Sequence, residues 1–234
     1  MENLTKPESL KSLEMMFDRE VTEEMVEQSV KKLDELLNED ESFLGYGLTA
    51  NVHSLDDIRG ICCKINKAEK EIPPDIFVNS PEEELNILSK LKELHLSVRT
   101  PEPYCSHIID LGKRKYLVME QLNAVSVRDV LEGPEELPEL FDFESFFKKL
   151  EYFVAEMHEN GIYHRDLHAG NIMIHKVTGE PYVIDFGTGI ATFRGDEEPY
   201  KVSVGVGDNM PLPKDEYMLR TVKENVKKAK LLTK

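Results

Sequence analysis

Two carboxylates and one amide, closely spaced along the chain, are the side chains best suited to chemistry. Asp166 and Asn171 lie five residues apart in the segment HRDLHAGN, residues 164–171, and Asp185 follows Asn171 by fourteen residues. Carboxylate and amide oxygens are hard ligands that Mg²⁺ accepts, and magnesium neutralises the phosphates of a nucleotide. The pattern therefore indicates phosphoryl transfer, in which Asp166 orients an acceptor hydroxyl while Asn171 and Asp185 hold the metal.

Segment 164–171 and the triplet DFG, residues 185–187, together resemble the catalytic and metal-binding motifs of protein kinases. The motifs come in the family's order, follow a predicted helix and are joined by the apolar runs 172–174 and 182–184. The resemblance implies a kinase fold that uses ATP with Mg²⁺, for which Mn²⁺ is an alternative. It also implies that His164 supports the loop structurally rather than acting as a base.

Two further residues resemble regulatory and structural positions of kinases. Arg165 resembles the arginine with which many kinases hold a phosphorylated activation segment. Asp208 is considered as the buried aspartate that fixes the catalytic loop from below, although an ordinary turn is the favoured explanation. The hydroxyl groups that follow Arg165 nearby belong to Thr188, Thr192, Tyr200 and Ser203.

Upstream, Gly45 and Gly47 resemble the first glycines of the kinase glycine-rich loop, with Ala50 in place of the third and Val52 two residues later. Glycines let backbone N–H groups approach phosphates closely, and the single methyl group of Ala50 costs little there. The strands that follow read as a hairpin, so this segment is expected to form part of the nucleotide site.

A lysine and a glutamate are expected to pair next to that loop. Lys64 stands among apolar strand residues, where an ammonium group is costly without a partner. By the resemblance, Lys64 meets the α and β phosphates and a helix glutamate. The next helix begins with a capping box at Ser80 and a proline, and its Glu84 matches the family's glutamate.

The connection between the expected lobes follows two predicted strands, residues 106–111 and 115–119. The resemblance makes Met119 the gatekeeper residue of the nucleotide pocket. It also implies that the Glu120 carbonyl and the Leu122 N–H bond the adenine edge.

Helices with strong apolar periodicity are expected to support the catalytic loop. An aromatic-rich helix should begin at Asp142 and end at Gly161, and another is predicted from about Pro213. A short helix is also predicted over residues 125–131. Rigid support of this kind suits a reaction that depends on positioning.

The first forty-one residues lie outside the resemblance and predict one or two amphipathic helices, with Thr22 or Asp18 as N-terminal caps. Two roles are open for this extension: a helix packed on the small lobe, or an arm that binds a partner or regulates the enzyme.

Composition restricts the partners. The net charge of −16 argues against nucleic acid or an anionic membrane as the main partner. No apolar run of membrane-spanning length and no signal-peptide pattern occur. We therefore expect the protein to be cytoplasmic in the cell that makes it. The sequence does not indicate whether it is delivered into a host cell. The three cysteines lack disulfide or metal spacing, and Cys62 and Cys63 are expected to be buried thiols.

The predicted fold is α+β and bilobal. We expect an N-terminal helical extension (residues 1–41), a small antiparallel sheet lobe with its helix and hinge (42–122) and a reduced, mainly helical large lobe (123–234). No Ala-Pro-Glu motif follows residue 187, and the peptide-docking helices of larger kinases are not expected. A protein substrate would therefore bind through a surface other than a peptide groove.

His168 is the main departure from the family, because protein Ser/Thr kinases usually carry lysine at this position. A protonated imidazole would supply part of the missing positive charge, so His168 is a catalytic candidate. The preferred function is a minimal, atypical Ser/Thr protein kinase. The alternatives are a small-molecule kinase resembling aminoglycoside or choline phosphotransferases, and a kinase-fold scaffold without activity.

Overall fold

The computed structural model describes residues 22, 24–28, 33, 43–47, 49–55, 60–67, 71–72, 78–109, 114–133, 135–191 and 215–232. The strands are β1 (Phe43–Tyr46), β2 (Ala50–Ser54), β3 (Ile61–Asn66), β4 (Pro103–Ile109), β5 (Arg114–Glu120), β6 (Ala124–Ser126), β7 (Ile162–Tyr163), β8 (Ile172–His175), β9 (Pro181–Val183) and β10 (Ile190–Ala191). The helices, besides helical residues 24–28 and 33, are α1 (Pro81–Leu94), α2 (Val127–Glu132), α3 (Phe143–Glu159) and α4 (Asp215–Leu232). The fold class is α+β, as predicted.

Strands β1 to β5 form one antiparallel sheet in the order β1-β2-β3-β5-β4, which with α1 makes the small lobe. Lys64 on β3 lies opposite Val52 on β2 and Leu117 on β5, so these side chains share the inner face of the sheet. Side chains alternate between faces along a strand, which places Cys63 and Val118 on the outer face. The sheet therefore separates two apolar clusters, and only its inner face borders the large lobe.

The described part of the N-terminal extension packs on that outer face. The Met25 N–H donates to Thr22 Oγ1 at 3.3 Å, and the Val26 N–H donates to the Thr22 carbonyl at 3.2 Å. Leu33 is buried in the outer cluster, and Met25 and Val26 pack against it. The Thr22 cap is therefore confirmed, as is packing on the small lobe for these residues, whereas Asp18 lies outside the described residues.

Helix α1 begins with the predicted capping box. Ser80 accepts a hydrogen bond from the Glu83 N–H at 3.2 Å, and the Glu83 carboxylate accepts one from the Ser80 N–H at 2.8 Å. Its buried face carries Glu84, Ile87, Leu88 and Leu91. The amphipathic pattern therefore turns one carboxylate, that of Glu84, inward with the leucines.

The large lobe is organised around α3, whose apolar face fills the core. Asp142 caps the helix by accepting from the Ser145 N–H at 2.7 Å. Asn160 ends it, and Gly161 follows with a φ of +70°, a left-handed conformation that glycine adopts without steric cost. The buried side chains of α3 are those of Phe143, Phe146, Phe147, Leu150, Phe153, Val154 and Met157.

Several predicted boundaries need correction. The strand expected at residues 106–111 is β4, which begins earlier because proline tolerates the first position of a strand, where no N–H is needed. The short helix expected at 125–131 begins only at Val127. The preceding residues pair with β8 as β6, and Ser126 caps the helix by accepting from the Asp129 N–H at 3.0 Å.

Two other sequence-based expectations were checked. Cys62 and Cys63 are buried free thiols, as predicted, and Cys105 is a partly buried one. Within the described ranges, no helix is both long and apolar enough to cross a bilayer.

We expect Leu33→Ala to lower the free energy of unfolding by about 2–5 kcal/mol, because it removes a buried leucine from the outer cluster of the sheet. Urea unfolding followed by circular dichroism measures the change. The exposed Glu27→Ala on the same segment is the control. Equal stability of both variants would show that the extension does not pack on the sheet in solution.

Candidate active site

A buried lysine joins three elements of the fold. The Nζ of Lys64 lies 2.7 Å from Glu84 Oε2, 2.9 Å from Glu84 Oε1 and 2.7 Å from Asp185 Oδ1. Burial alone would lower the pKa of Lys64, but the two carboxylates outweigh burial and raise that pKa. Burial, together with the negative charge of Asp185, raises the pKa of Glu84 despite the ammonium. The charged ammonium thus holds β3, α1 and the DFG segment together.

Asp185 uses one oxygen for this contact. Its Oδ1 accepts from Lys64 and from the Gly187 N–H at 3.1 Å, and no donor among the described residues bonds Oδ2. Burial would raise the pKa of Asp185, but the ammonium outweighs it and lowers that pKa to about 2. The φ of Asp185 is +65°, a left-handed conformation that costs about 1–3 kcal/mol for a non-glycine residue. The backbone is therefore held in a strained shape that leaves one charged oxygen for another ligand.

Gly187 is required by the same contact. A Cβ atom added at this position would lie 2.9 Å from both Asp185 Oδ1 and Lys64 Nζ. Its φ lies outside the left-handed region, so the requirement comes from close approach rather than from backbone freedom.

The catalytic loop presents Asp166 at its surface. The Asn171 Nδ2 donates to the Asp166 carbonyl at 2.9 Å and lies 3.5 Å from Asp166 Oδ2, so Asn171 fixes the loop around the aspartate. The Asp166 side chain is 43% exposed, and His168 Nε2 lies 3.7 Å from its Oδ2. Burial raises the pKa of Asp166, as does the charge of Asp185, while His168, His164 and Arg128 oppose them. The environment of Asp166 therefore disfavours its charged form, although three cationic or imidazole groups lie near it.

A buried aspartate that the sequence analysis missed fixes this loop from below. Asp215, the first residue of α4, accepts from the His164 N–H and the Arg165 N–H, both at 2.8 Å. His158 Nε2 lies 3.0 Å from Asp215 Oδ2. Asp208, considered for this role, lies outside the described residues. An acidic residue at the start of the last predicted helix was the available signal for Asp215.

His164 and Arg165 have structural contacts. His164 Nδ1 accepts from the Asp166 N–H at 3.2 Å, which makes Nε2 the donor to the Ile184 carbonyl at 2.9 Å, and the ring packs on Phe186. Arg165 Nη1 lies 3.5 Å from the Thr188 carbonyl, and burial lowers the pKa of the guanidinium. The expected structural role of His164 fits these contacts. The other activation-segment hydroxyls, Thr192, Tyr200 and Ser203, lie outside the described residues.

The glycine-rich segment forms a tight turn between β1 and β2. The Gly47 N–H donates to the Ala50 carbonyl at 2.8 Å, and a Cβ atom on Gly47 would lie 2.9 Å from that oxygen. Ala50 is buried on β2, and Val52 lies on the inner face beside Lys64. Among the described residues, no heavy atom beyond the adjoining chain lies within 4 Å of a Cβ built on Gly45. Ala50 and Val52 lie on the same face of the sheet as the lysine.

Comparisons with known proteins agree with this geometry. A family model described as protein kinase domain matches residues 39–209. The chain belongs to the protein kinase family. A mouse protein named inhibitor of nuclear factor kappa-B kinase subunit epsilon is 31% identical over 147 residues. The match covers 60% of this chain and 19% of the mouse protein, so the chain spans only a small part of that relative's length.

The residues predicted to border the adenine lie at the end of β5 and directly after it. Glu120 is the last residue of β5, one residue beyond the predicted strand, and its N–H donates to the Glu102 carbonyl at 2.8 Å. The Glu120 carbonyl, expected to bond adenine, accepts from Cys62 Sγ at 3.5 Å. Met119 lies opposite Cys62 on the inner face and packs against the main core, and Leu122 follows in the connection to β6. Met119, the predicted gatekeeper, thus lies on the same face of the sheet as Lys64.

The side chain of Arg128 on α2 lies against His168, the residue that stands where protein Ser/Thr kinases usually carry a lysine. The Arg128 guanidinium on α2 lies 3.3 Å from His168 Nδ1 and 3.4 Å from His168 Nε2, and the Arg128 N–H donates to the Ala169 carbonyl at 3.0 Å. A Cβ atom on Gly170 would lie 2.7 Å from the Arg128 guanidinium, so a larger residue there would shift the end of the arginine side chain. Sequence reasoning missed Arg128 because nothing in α2 marks contact with a loop forty residues later.

The oxygens available at this kinase site suit magnesium. Asn171 uses its Nδ2 on Asp166, and no donor among the described residues bonds Asn171 Oδ1 or Asp185 Oδ2. The described residues contain no cluster of three or more His, Cys, Asp or Glu side chains able to form a complete protein cage for a metal. Mg²⁺ is commonly held by one or two protein oxygens, with phosphates and water completing its shell. The residues present therefore fit a nucleotide-bound magnesium ion.

We expect the stability difference between the wild type and Asp185→Asn to shrink on acidification. A lowered pKa stabilises the folded state above the ordinary value of 3.8, and this stabilisation is lost as the pH falls toward about 2. Urea unfolding at steps between about pH 5 and pH 2 measures the difference. The exposed Glu144→Gln is the control, and a difference that stays constant across this range would contradict the prediction.

Proposed function

We propose that this kinase domain transfers the γ-phosphate of ATP, with Mg²⁺, to serine or threonine hydroxyl groups of a protein. The observation that carries the proposal is the placement of Lys64 Nζ within 2.9 Å of both Glu84 and Asp185. A scaffold without activity would not require a lysine paired with a helix glutamate and with a metal-type aspartate at once. The intact group supports an active enzyme over such a scaffold.

Each residue has a role that its position supports. Lys64, held by Glu84, would bind the nucleotide phosphates, and Gly45, Gly47, Ala50 and Val52 would cover the nucleotide from above. Asn171 Oδ1 and Asp185 Oδ2 would hold Mg²⁺, or Mn²⁺ in its place. The metal, when bound, neutralises charge on the phosphates and on the transition state of transfer. Met119, Glu120 and Leu122 would border the adenine.

Asp166 would orient the acceptor hydroxyl and receive its proton. Its carboxylate is exposed on one side, while the Asn171 amide and the Asp215 contacts to the loop fix the backbone behind it. Burial raises the pKa of Asp166, which brings a carboxylate closer to the basicity that proton acceptance needs. Positioning and electrostatics together supply the catalysis in this class of reaction.

The cation expected beside Asp166 would come from two residues rather than one lysine. His168 and Arg128 lie in contact, and no carboxylate of the described residues lies within ion-pair distance of Arg128. An arginine keeps its charge at any physiological pH, so the pair stays cationic even when the imidazole is neutral. We propose that it stabilises negative charge on the transferring phosphoryl group.

The acceptor class is argued from the relative's name and from the catalytic loop. The name of the mouse relative describes a kinase of an inhibitor protein, which supports a protein acceptor for the matching segment. The histidine at position 168 favours the rival, a small-molecule kinase. The proposed protein substrate would bind outside a peptide groove.

We expect Asp166→Asn to reduce phosphate transfer by at least about a hundred-fold, because the amide cannot accept the hydroxyl proton. ATP binding should stay unchanged, since Asp166 is not among the residues proposed to hold the nucleotide. Labelled ATP with a protein acceptor measures transfer, and calorimetry measures binding. The exposed Glu132→Gln on α2 is the matched control. Transfer by Asp166→Asn at the wild-type rate would exclude the assigned role.

Labelled ATP also separates the two acceptor classes. The wild type should label proteins of a cell lysate, and acid hydrolysis should release phosphoserine or phosphothreonine. A panel of choline and aminoglycosides is incubated in parallel with the same enzyme. Label confined to a small molecule would support the rival, and absence of label in both arms with ATP bound would support the scaffold.

We expect Arg128→Ala to lower kcat by about tenfold or more with little change in the KM for ATP, because the lost charge acts on the transferring group. His168→Lys should retain activity, since lysine restores a cation at the family's position. Steady-state kinetics measures both variants. Arg220→Ala, an exposed arginine on α4, is the control, and a rise in KM alone would assign Arg128 to nucleotide binding instead.

A further inference from the structure

Asn79, immediately before the cap of α1, directs its side-chain N–H groups and its backbone N–H at the interior of the kinase domain. Its Nδ2 donates to the Phe186 and Gly189 carbonyls, both at 2.8 Å, and its backbone N–H donates to the Gly187 carbonyl at 2.6 Å. Its own carbonyl accepts from Asn66 Nδ2 at 3.3 Å. The residue is 5% exposed, so these hydrogen bonds are shielded from water.

Asn79 links the start of α1 to the segment that follows Asp185. Ser80, its neighbour, caps α1, and Glu84 lies one turn further along the same helix. The three accepting carbonyls belong to the segment that carries Asp185. Displacing α1 from the site would therefore break the Asn79 contacts as well as the Lys64–Glu84 pair, because both are made by the same end of the helix.

We propose that Asn79 is a positioning residue that keeps α1 and the DFG segment in the transfer-competent arrangement without a phosphate on the activation segment. This inference rests on the proposed function, because the arrangement it maintains is that of Lys64, Glu84 and Asp185. Asparagine suits the role: two N–H donors on one nitrogen reach two carbonyls that a carboxylate of the same shape would repel. The Asn79 hydrogen bonds would hold this arrangement, so that no phosphate on the activation segment is needed.

The alternative is that a phosphate on the activation segment, bound by Arg165, holds this arrangement. Arg165 Nε is buried without a hydrogen bond, which would suit such a ligand. The same guanidinium, however, already lies 3.5 Å from the Thr188 carbonyl, and it contacts the segment from the catalytic loop rather than from α1. The two explanations predict opposite effects on kcat when the activation-segment hydroxyl groups are removed.

The first arm of the test compares Asn79→Asp with Asn86→Asp, an exposed change of the same kind on α1. We expect Asn79→Asp to lower kcat by about tenfold or more. The substitution replaces two buried N–H···O hydrogen bonds by repulsive contacts between a carboxylate oxygen and two carbonyl oxygens. Hydrogen exchange followed by mass spectrometry should show faster exchange of residues 185–191 in Asn79→Asp only. Wild-type kcat and exchange in Asn79→Asp would overturn the proposal.

The second arm leaves Asn79 intact and removes the three activation-segment hydroxyl groups that follow Thr188, in the triple variant Thr192→Ala, Tyr200→Phe and Ser203→Ala. It is assayed beside wild-type protein treated with a phosphatase, which also removes any phosphate from Thr188. Retention of wild-type kcat in the triple variant and in the phosphatase-treated protein supports the proposal. Loss of activity in either sample overturns it in favour of a phosphate bound by Arg165. This arm decides the question even where Asn79→Asp fails to fold. Should the wild type transfer no phosphate at all, the proposed function fails, while the exchange measurement still reports on the Asn79 contacts.

Discussion

The ammonium group of Lys64, buried between two carboxylates, is the contact on which the rest of the site depends. It ties β3, α1 and the DFG segment into one unit, and each of those elements contributes one charge. A buried ion pair is costly unless every partner is present, so the loss of one carboxylate would leave the others in an unfavourable setting. The strained backbone of Asp185 and the close approach of Gly187 are tolerated because this contact fixes them.

The large lobe supplies the second half of the site by hydrogen bonding to backbone. Asp215 on α4 holds two N–H groups of the catalytic loop, and the phenylalanines of α3 form the rigid base beneath it. Asn79 uses the same device from the small lobe, with an amide directed at backbone carbonyls. The charged side chains therefore lie on a framework whose geometry is set by polar contacts to the main chain.

The difference between paired charges and side chains that bind the backbone explains which site residues could be predicted from the sequence. Glu84 was chosen by its resemblance to the family's helix glutamate, while the capping box and the leucine spacing predicted the helix that carries it. Asp215 and Asn79 escaped notice because contact with a backbone group requires only an aspartate or an asparagine, residue types common in turns. Glu120 ends β5, one residue beyond the strand predicted at 115–119, since pairing with β3 extends β5 and strand ends carry no distinct signal. Arg128 is a surface residue by pattern and reaches the loop only through the fold.

The most direct measurement of the central claim is a crystal structure of the protein with Mg²⁺ and a non-hydrolysable ATP analogue. The account predicts the Lys64 ammonium on phosphate oxygens with Glu84 still bound to it, and Asp185 Oδ2 and Asn171 Oδ1 in the magnesium shell. A nucleotide bound in another cavity, or in this cleft with Lys64 and Asp185 away from its phosphates, would contradict it.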